Sequence, residues 1–386
     1  MRIGVPREIR PGERRVALVP ESCKKLIQAG IEVGLESGAG AAAFIPDAAY
    51  AEVGVQVGPD AATVLATADL ACKVAPPVVD PAAGHNEVEL LRPNAMLLAG
   101  LVPTRNLKVV EALAARKITA FSTDAIPRIT RAQAMDTLSS MANIAGYKGV
   151  LLGAVELSKY YPMFMTAAGT IFPAKVFVIG AGVAGLQAIA TARRLGANVF
   201  ATDVRPEVKE QIESVGGKYV GIELKESAAA GGGYAKELSA EDQARQREML
   251  VEQCKVSDVI VSTALIGGVF APKLITRDMV QSLRPGTVIV DLAADGGGNC
   301  ELSRPGETCT TDNGVTIVAP LNLAATMPRD ASTLWSRNLL NFVLAFWTKE
   351  KTFNLDLNDE ILRGALITHN GEVVHAKTRE LIQGKR

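Results

Sequence analysis

A glycine-rich turn is the pattern in this sequence that is most typical of a defined chemistry. The apolar run 176–179 predicts a buried strand, and Gly180, Gly182 and Gly185 follow it in the spacing Gly-x-Gly-x-x-Gly. In such a turn the first glycine permits the tight bend, the second lets a pyrophosphate approach the backbone, and the third lets a helix pack on the strand. That helix is expected to begin at Val183 and to point its free N–H groups at the phosphates. The spacing therefore predicts a dinucleotide site.

A carboxylate after the next predicted strand indicates which dinucleotide binds. The strand is expected over 198–202, and Asp203 follows it, 23 residues after Gly180. A carboxylate there can accept hydrogen bonds from the adenosine ribose hydroxyls and would repel a 2′-phosphate, which favours NAD(H) over NADP(H). Arg205 argues in the other direction, because a nearby arginine can host a 2′-phosphate.

Other strand ends add candidates to this site. Ligands of doubly wound sheets lie along the carboxyl ends of the strands. We therefore include Val204 beside Asp203, and Ala264 and Leu265 after a later strand, among the predicted cofactor-binding residues. Asp291 also ends a strand, where it equally fits a carboxylate that caps a loop.

A polar run precedes the longest predicted helix. Arg128, Gln133 and Asp136 lie in this run, and Ser139 follows it. On composition alone the run fits a charged loop that leads into the amino end of a helix.

Histidines are scarce, and this limits the chemistry. His85, His369 and His375 are the histidines of the chain, and none follows a strand in the cofactor region. A dehydrogenase that acts on an alcohol or an amine moves a proton as well as a hydride, usually with His or Lys. Either Lys73 does that work alone, or no proton is moved, as in hydride transfer between two nicotinamides, which needs correct placement but no general base.

Composition bounds the class of protein. A length of 386 residues with 48% hydrophobic content predicts a globular protein of two domains. Lys plus Arg and Asp plus Glu both number 41, which argues against a nucleic-acid partner. Five scattered cysteines without a CxxC pair predict reduced thiols and no metal site. The apolar run 339–347 is too short to span a bilayer, so no direct membrane insertion is expected.

The elements that position these residues alternate between strands and helices. This alternation predicts an α/β fold of two Rossmann-like, doubly wound parallel-sheet domains joined by long helices. We expect one long helix over 135–160, with Gly146, Gly149 and Gly153 in close packing, and another over about 331–346. The chain would then return to its first domain. Residues 1–138 with 330–386 form the predicted first domain, and 139–329 form the predicted NAD(H)-binding domain.

A segment rich in glycine and alanine lies at 225–240, with Tyr234 as its single aromatic residue. The segment fits two interpretations equally well. It could be a connector with an incidental tyrosine, or a lid that closes over a ligand.

The polar run also carries a family resemblance. Arg128, Gln133, Asp136 and Ser139 resemble the Arg-Gln-Asp loop in the NAD(H)-binding component of proton-translocating nicotinamide nucleotide transhydrogenase. The resemblance covers nearly the whole chain, including 143–147, 165–170, 180–185, 232–236, 263–266 and 297–300. The amino-terminal segments 2–8 and 13–17 are shared with alanine dehydrogenase, a relative.

A departure separates the two relatives. Alanine dehydrogenase resembles this chain at Lys73, its substrate-binding lysine, and has a catalytic histidine in the strand that corresponds to 97–101. This sequence has no histidine there. The departure argues against alanine oxidation. An alanine-type amino-acid dehydrogenase and a non-catalytic NAD-sensing module are the alternatives to the transhydrogenase component.

The resemblance implies a role for each matched residue. Arg128, Gln133 and Asp136 would be catalytic and, with Ser139, would hold the nicotinamide end of NAD(H), while Tyr234 would lie on a lid. The implied cofactor-binding set is Arg128, Gln133, Asp136, Ser139, Gly180, Gly182, Val183, Gly185, Asp203, Val204, Tyr234, Ala264 and Leu265, with no metal.

The resemblance also implies partners. NADH would donate its hydride to NADP+ on a separate NADP(H)-binding β subunit, and a membrane-spanning subunit would couple this Re/Si-specific reaction to proton translocation. The chain would be a homodimeric soluble α subunit, cytoplasmic and peripheral at the inner (plasma) membrane through those partners.

Overall fold

The computed structural model describes residues 1–80, 85–222, 239–265 and 271–384. The chain forms two compact units, Met1–Met141 with Ala325–Arg386, and Ala142–Ala324. Both units are α/β with largely parallel sheets, so the predicted fold class is confirmed.

The strands, in chain order, are β1 (Arg2–Val5), β2 (Glu32–Glu36), β3 (Gln56–Gly58), β4 (Leu70–Cys72), β5 (Val79–Asp80), β6 (His85–Asn86), β7 (Met96–Ala99), β8 (Thr119–Ser122), β9 (Phe164–Thr166), β10 (Gly169–Ile171), β11 (Lys175–Ile179), β12 (Asn198–Thr202), β13 (Lys218–Tyr219), β14 (Val259–Ser262), β15 (Val288–Asp291), β16 (Thr308–Thr310), β17 (Thr316–Val318), β18 (Leu366–His369) and β19 (Glu372–Val373).

The α-helices are α1 (Pro20–Gln28), α2 (Asp47–Ala51), α3 (Ala61–Ala66), α4 (Glu87–Leu90), α5 (Leu107–Ala115), α6 (Thr137–Glu156), α7 (Val183–Arg194), α8 (Val208–Ser214), α9 (Ala240–Lys255), α10 (Arg277–Ser282), α11 (Pro328–Ala345), α12 (Glu360–Ala365) and α13 (Ala376–Gln383). Short 3-10 helices lie at Ala41–Ala43, Thr123–Ala125, Thr130–Met135, Ala294–Gly296 and Leu323–Thr326.

The first unit is built on an eight-stranded sheet of order β19-β18-β8-β7-β4-β1-β2-β3. The strands from β8 to β3 are parallel, whereas β18 and β19, from the end of the chain, extend one edge in antiparallel pairs. Strands β4 and β8 are buried throughout, as expected for a parallel sheet covered on both faces.

The second unit has a seven-stranded sheet of order β13-β12-β11-β14-β15-β17-β16. All its pairs are parallel except the edge pair of β16 and β17. The chain winds outward from β11 on one side through β12 and on the other through β14. The crevice outside the carboxyl ends of β11 and β14 is therefore the topological switch point, where doubly wound sheets bind ligands.

The long helices differ in detail from their predicted bounds. Helix α6 begins at Thr137, because Thr130–Met135 is a separate 3-10 helix, and it runs across the boundary between the units at residues 141 and 142. At the second boundary the chain crosses in the short 3-10 helix Leu323–Thr326, just before α11.

The glycines of α6 explain how the helix lies in the second unit. A Cβ on Gly146 would lie 2.1 Å from the carbonyl oxygen of Ala184 in α7. One on Gly149 would lie 2.7 Å from the side chain of Leu292. The glycines therefore permit close packing, as predicted, against both a helix and side chains that follow the sheet.

An antiparallel hairpin was not predicted from the sequence. Strands β9 and β10 pair with Thr166 opposite Gly169, and every residue of both strands is exposed. Within the residues that the structure describes, no helix is long and apolar enough to cross a membrane.

Candidate functional site

The glycine turn follows β11 at the switch point of the second sheet. Gly180 has a φ of +90°, a left-handed conformation that L side chains rarely adopt. A Cβ on Gly185 would lie 1.9 Å from the carbonyl oxygen of Gly180. Since no side chain fits at that distance, Gly185 is required for α7 to start directly behind the strand.

Gly182 differs from its two neighbours because it borders open space. It is the N-cap residue of α7, and a Cβ built on it meets no described atom within 4 Å. The next residue, Val183, is 41% exposed although it starts the helix. The amino end of α7 therefore presents N–H groups and the positive end of the helix dipole to a space where an anion fits.

Asp203 links the end of β12 to the glycine turn. Its Oδ2 accepts a hydrogen bond of 2.8 Å from the backbone N–H of Ala181. The Nε and Nη2 of Arg205 donate to its two oxygens at 2.9 Å each, and the backbone N–H of Arg205 adds a third bond. The hydrogen bonds that Arg205 donates to the Asp203 carboxylate raise the pKa of Arg205. Asp203 is thus held in place beside the turn, and Arg205 partly neutralises its charge.

The loop after β14 packs against the same turn. The hydroxyl of Thr263 donates to the carbonyl oxygen of Gly180 at 3.0 Å. The backbone N–H of Ala264 donates to Oδ1 of Asn299, a fully buried residue that the sequence placed in the family-like segment 297–300 without a predicted role. Val204 and Leu265 are both half-buried. Tyr234 and Ile266 lie outside the described residues.

Asp291 organises a loop. It is fully buried, and its carboxylate accepts hydrogen bonds from the backbone N–H groups of Ala293, Asn299 and Cys300 and from the hydroxyls of two serines. Of the two interpretations of Asp291 made from the sequence, this geometry supports the loop cap.

The polar run 128–136 lies in the first unit. Ala132 and Met135 are buried in its core, while Gln133 between them is exposed. The side-chain amides of Asn338 and Asn341 in α11 both donate to the carbonyl oxygen of Ala134, at 2.9 Å and 3.1 Å. The 3-10 helix is thus anchored on both sides of Gln133. This anchoring fixes the backbone position of the exposed Gln133 side chain.

Asp136 caps the long helix that follows. Its Oδ1 accepts a hydrogen bond of 2.8 Å from the backbone N–H of Ser139, and its Oδ2 accepts one of 2.6 Å from the Ser139 hydroxyl. An Asp at the N-cap that binds the third helical residue is a common start for a helix. Arg128 is exposed, as Gln133 is. Asp136 and Ser139 thus fix the start of α6, and Arg128 and Gln133 are exposed on the same loop.

Lys73 forms a buried ion cluster in the first unit. Its Nζ lies 2.8 Å from Oε1 of Glu87 and 3.2 Å from Oε2 of Glu8, and all three side chains are at most 7% exposed. The second oxygens of the two carboxylates accept bonds of 2.6 Å from the backbone N–H groups of Val74 and Val78. Burial alone would lower the pKa of Lys73, but the two carboxylates raise it, while burial raises the pKa of Glu8.

Two histidines form hydrogen bonds with threonine hydroxyls. His369 Nδ1 pairs with the hydroxyl of Thr119 at 3.1 Å, and His375 Nδ1 with that of Thr378 at 2.7 Å. Burial lowers the pKa of His375. Among the described residues no cluster of His, Cys, Asp and Glu side chains could hold a metal ion.

The fold and the turn of the second unit together define a class of protein. The class is that of doubly wound α/β domains with a dinucleotide-type glycine turn at the switch point. The alanine dehydrogenase/PNT N-terminal domain matches residues 4–145, and the C-terminal domain of the same family matches 149–376. The chain belongs to the alanine dehydrogenase/PNT family, as its sequence motifs predicted.

Similar proteins include both branches of that family. An NAD(P) transhydrogenase subunit alpha protein of Rhodospirillum rubrum is 47% identical over 378 residues, which cover 97% of this chain and 98% of that protein. The crystal structure of transhydrogenase from Sinorhizobium meliloti matches with a TM-score of 0.87 at 42% identity, over 97% of this chain and 100% of that one. A structure of L-alanine dehydrogenase matches with a TM-score of 0.80 at 27% identity over the whole of both chains.

A pair of glycine substitutions separates fold from binding at the turn. In Gly182→Ala the methyl group meets no described atom but occupies the space that a pyrophosphate needs. We expect wild-type thermal stability with a dissociation constant for NADH, measured by fluorescence titration, raised at least tenfold, about 1.4 kcal/mol.

The matched variant Gly185→Ala should instead lose stability. Its methyl group overlaps the carbonyl of Gly180, and such overpacking costs about 1–3 kcal/mol of the free energy of unfolding. Unchanged NADH binding by Gly182→Ala would place the nucleotide elsewhere.

The Lys73 cluster generates a stability prediction. Lys73→Met leaves two buried carboxylates without their cation, so we expect the free energy of unfolding to fall by about 3–5 kcal/mol, measured by urea denaturation. Adding Glu8→Gln and Glu87→Gln should recover much of the loss. Lys25→Met, which removes an exposed ion pair with Glu21, is the control and should leave the urea midpoint unchanged. Equal midpoints for the Lys73 and Lys25 variants would contradict the role of the cluster.

Proposed function

We propose that this chain is the NAD(H)-binding subunit of a proton-translocating, Re/Si-specific NAD(P)+ transhydrogenase. NADH bound at the glycine turn would pass its hydride to NADP+ on a partner subunit. The observation that carries the proposal is the open amino end of α7 at Gly182, beside the carboxylate of Asp203. The relatives named transhydrogenase, which match 97% of the chain, favour this reaction over others that use the same turn.

Asp203 supports the choice of NAD(H). Its carboxylate lies at the end of β12, where an adenosine ribose is held in folds of this type. The fork of Arg205 on this carboxylate fills positions that ribose hydroxyls would use. We propose that Arg205 turns aside when NAD(H) binds and that Asp203 then accepts the ribose hydroxyls. The binding residues of this second unit would be Gly180, Gly182, Val183, Gly185, Asp203, Val204, Ala264 and Leu265, within a functional domain 139–329.

The Arg128–Asp136 loop would hold the nicotinamide end. Because Arg128 and Gln133 face outward, we assign them to contact with the nucleotide. Asp136 and Ser139 bond to each other, so they would chiefly fix the loop, while the carboxylate of Asp136 keeps some capacity to accept a further hydrogen bond. The run 128–136 contains no histidine or lysine to act as a general base, which suits hydride transfer between two nicotinamide rings.

The alternative of an alanine-type dehydrogenase finds less support. Amine oxidation requires a group that exchanges protons with substrate. The ammonium of Lys73 is buried between two carboxylates. Residues 97–101, which correspond to the strand that carries the histidine of the relative, contain no histidine. A non-catalytic NAD-sensing module would share the turn and differ from our proposal in showing no hydride exchange.

The proposal includes partner subunits. An NADP(H)-binding β subunit would accept the hydride, and a membrane-spanning subunit would couple the transfer to proton translocation. This chain would lie on the cytoplasmic side of the inner (plasma) membrane, held there by those subunits, and would bind no metal.

A second copy of this chain is the further partner that we propose. Met165 and Phe172 in and beside the β9–β10 hairpin are 79% and 71% exposed. Met163, Phe164 and Ile171 add apolar surface to the same feature. A two-stranded hairpin has little stability of its own, and large exposed apolar patches mark protein interfaces. Burial of this hairpin against a second copy would therefore stabilise a homodimer.

Hydride exchange tests the proposed function. Wild-type chain mixed with the NADP(H)-binding component of a transhydrogenase should transfer hydride from NADH to an NADP+ analogue, followed by absorbance. Gln133→Ala should slow the transfer about 10–100-fold, because it removes a contact that places the nicotinamide. Gln28→Ala, another exposed glutamine of the first unit, is the control. No exchange with wild type would refute the reaction, and equal rates for Gln133→Ala and Gln28→Ala would refute the role of the loop.

The hairpin is tested by the oligomeric state. Met165→Asp places a charge in the proposed interface and should convert a dimer to a monomer in sedimentation velocity. Val256→Asp changes another exposed apolar residue of the second unit, 46% exposed, and should remain dimeric. A dimer that survives Met165→Asp at micromolar concentration would exclude the hairpin as the interface.

A further inference from the structure

The segment Gly297-Gly298-Asn299-Cys300 curls around the buried carboxylate of Asp291. Gly297 and Gly298 have φ values of +102° and +81°, and a Cβ on Gly298 would lie 2.7 Å from Asp291 Oδ2. Two consecutive left-handed residues turn the chain so that the next two N–H groups, of Asn299 and Cys300, donate to Asp291 at 3.1 Å and 2.9 Å. The glycines and the aspartate thereby fix the position of Asn299.

The side chain of Asn299 uses both of its N–H donors and one acceptor position of its oxygen on backbone groups. Its Oδ1 accepts from the N–H of Ala264 at 3.0 Å. Its Nδ2 donates to the carbonyl oxygens of Ala264 and Pro272, at 2.9 Å each. The opposite orientation of the amide would face N–H with N–H and oxygen with two oxygens, so the contacts define one orientation. With 0% exposure, these bonds have no competition from solvent.

Ala264 lies directly against the glycine turn. A Cβ on Gly180 would lie 3.3 Å from the nitrogen of Ala264 and 2.8 Å from the hydroxyl oxygen of Thr263. The Thr263 hydroxyl also donates to the carbonyl oxygen of Gly180 at 3.0 Å. A displacement of Ala264 is therefore transmitted to the turn. Since Asn299 accepts the bond from the N–H of Ala264, that N–H is already committed and does not need a nucleotide as its acceptor.

We propose that Asn299 is a positioning residue of the nucleotide site, which sets the loop 263–265 against the glycine turn. The inference rests on the proposed binding of NAD(H) at that turn. The Asp291 carboxylate and the two glycines hold Asn299, Asn299 holds Ala264, and Ala264 with Thr263 borders Gly180. The position of Ala264 beside the glycine turn is thus set by an amide whose own hydrogen bonds go to backbone groups.

The test compares two asparagines of the same unit. Asn299→Asp keeps the size of the side chain but sets a carboxylate oxygen against the carbonyls of Ala264 and Pro272. Asn313 is the matched control, because its Nδ2 likewise donates to backbone carbonyls, those of Val280, Gln281 and Leu283. Both variants should lose thermal stability, and only Asn299→Asp should raise the dissociation constant for NADH, by about tenfold.

A second readout separates positioning from general loss of structure. In the hydride-exchange assay Asn299→Asp should raise the KM for NADH with little change in kcat at saturation. Its dissociation constant should fall toward the wild-type value as pH falls, because the protonated carboxyl regains one donor. The corresponding values for Asn313→Asp should stay within twofold of wild type.

Thr263→Val provides a second variant if Asn299→Asp does not fold. It removes the hydroxyl bond to Gly180 at nearly constant volume and should weaken NADH binding several-fold. Equal dissociation constants for Asn299→Asp and Asn313→Asp would overturn the inference. If Asn299→Asp is unfolded, wild-type NADH affinity in Thr263→Val would overturn it. Failure of the wild-type chain to bind NADH would instead overturn the proposed function.

Discussion

The second unit depends on a close backbone contact that leaves no room for a side chain. A Cβ on Gly185 would lie 1.9 Å from the carbonyl oxygen of Gly180, so α7 starts directly behind β11 only because position 185 is glycine. That contact decides where the helix begins and leaves Gly182 at its open amino end. Gly146 repeats the constraint, since a Cβ there would lie 2.1 Å from the carbonyl oxygen of Ala184. Helix α6 therefore rests on the same turn of α7 that forms the candidate site.

Local patterns were sufficient to predict the parallel core. Strands such as β11 and β14 are buried on both faces, so each is a continuous apolar run that ends in turn residues. The hairpin of β9 and β10 escaped prediction for the opposite reason, because its side chains are exposed and no burial pattern marks them. The start of α6 was placed two residues early, although Asp136 with Ser139 is a recognisable N-cap that could have corrected it.

Side-chain hydrogen-bond networks were harder to predict from the sequence than helices and strands. The glycine spacing and Asp203 indicated a dinucleotide site, but the fork of Arg205 on that carboxylate depends on the conformation of one short turn. Asn299 could not have been connected to Ala264 from the sequence. The two residues lie 35 positions apart, and their contact exists only because two left-handed glycines bend the intervening chain. Long-range hydrogen bonds of this kind leave no periodic signal.

The Lys73 cluster bears on how one family can contain two chemistries. A lysine that binds a substrate or carries a proton must exchange its partners, whereas Lys73 is enclosed by two carboxylates that are themselves bonded to backbone N–H groups. Alanine oxidation has to remove a proton from an amine, and exchange of hydride between two nicotinamide rings does not. The enclosed Lys73 therefore fits the proposed exchange of hydride between two nicotinamide rings, which asks no proton transfer of it. Under the proposed function that reaction demands placement, and the loop anchored on both sides of the exposed Gln133 is the feature of the first unit that would supply it.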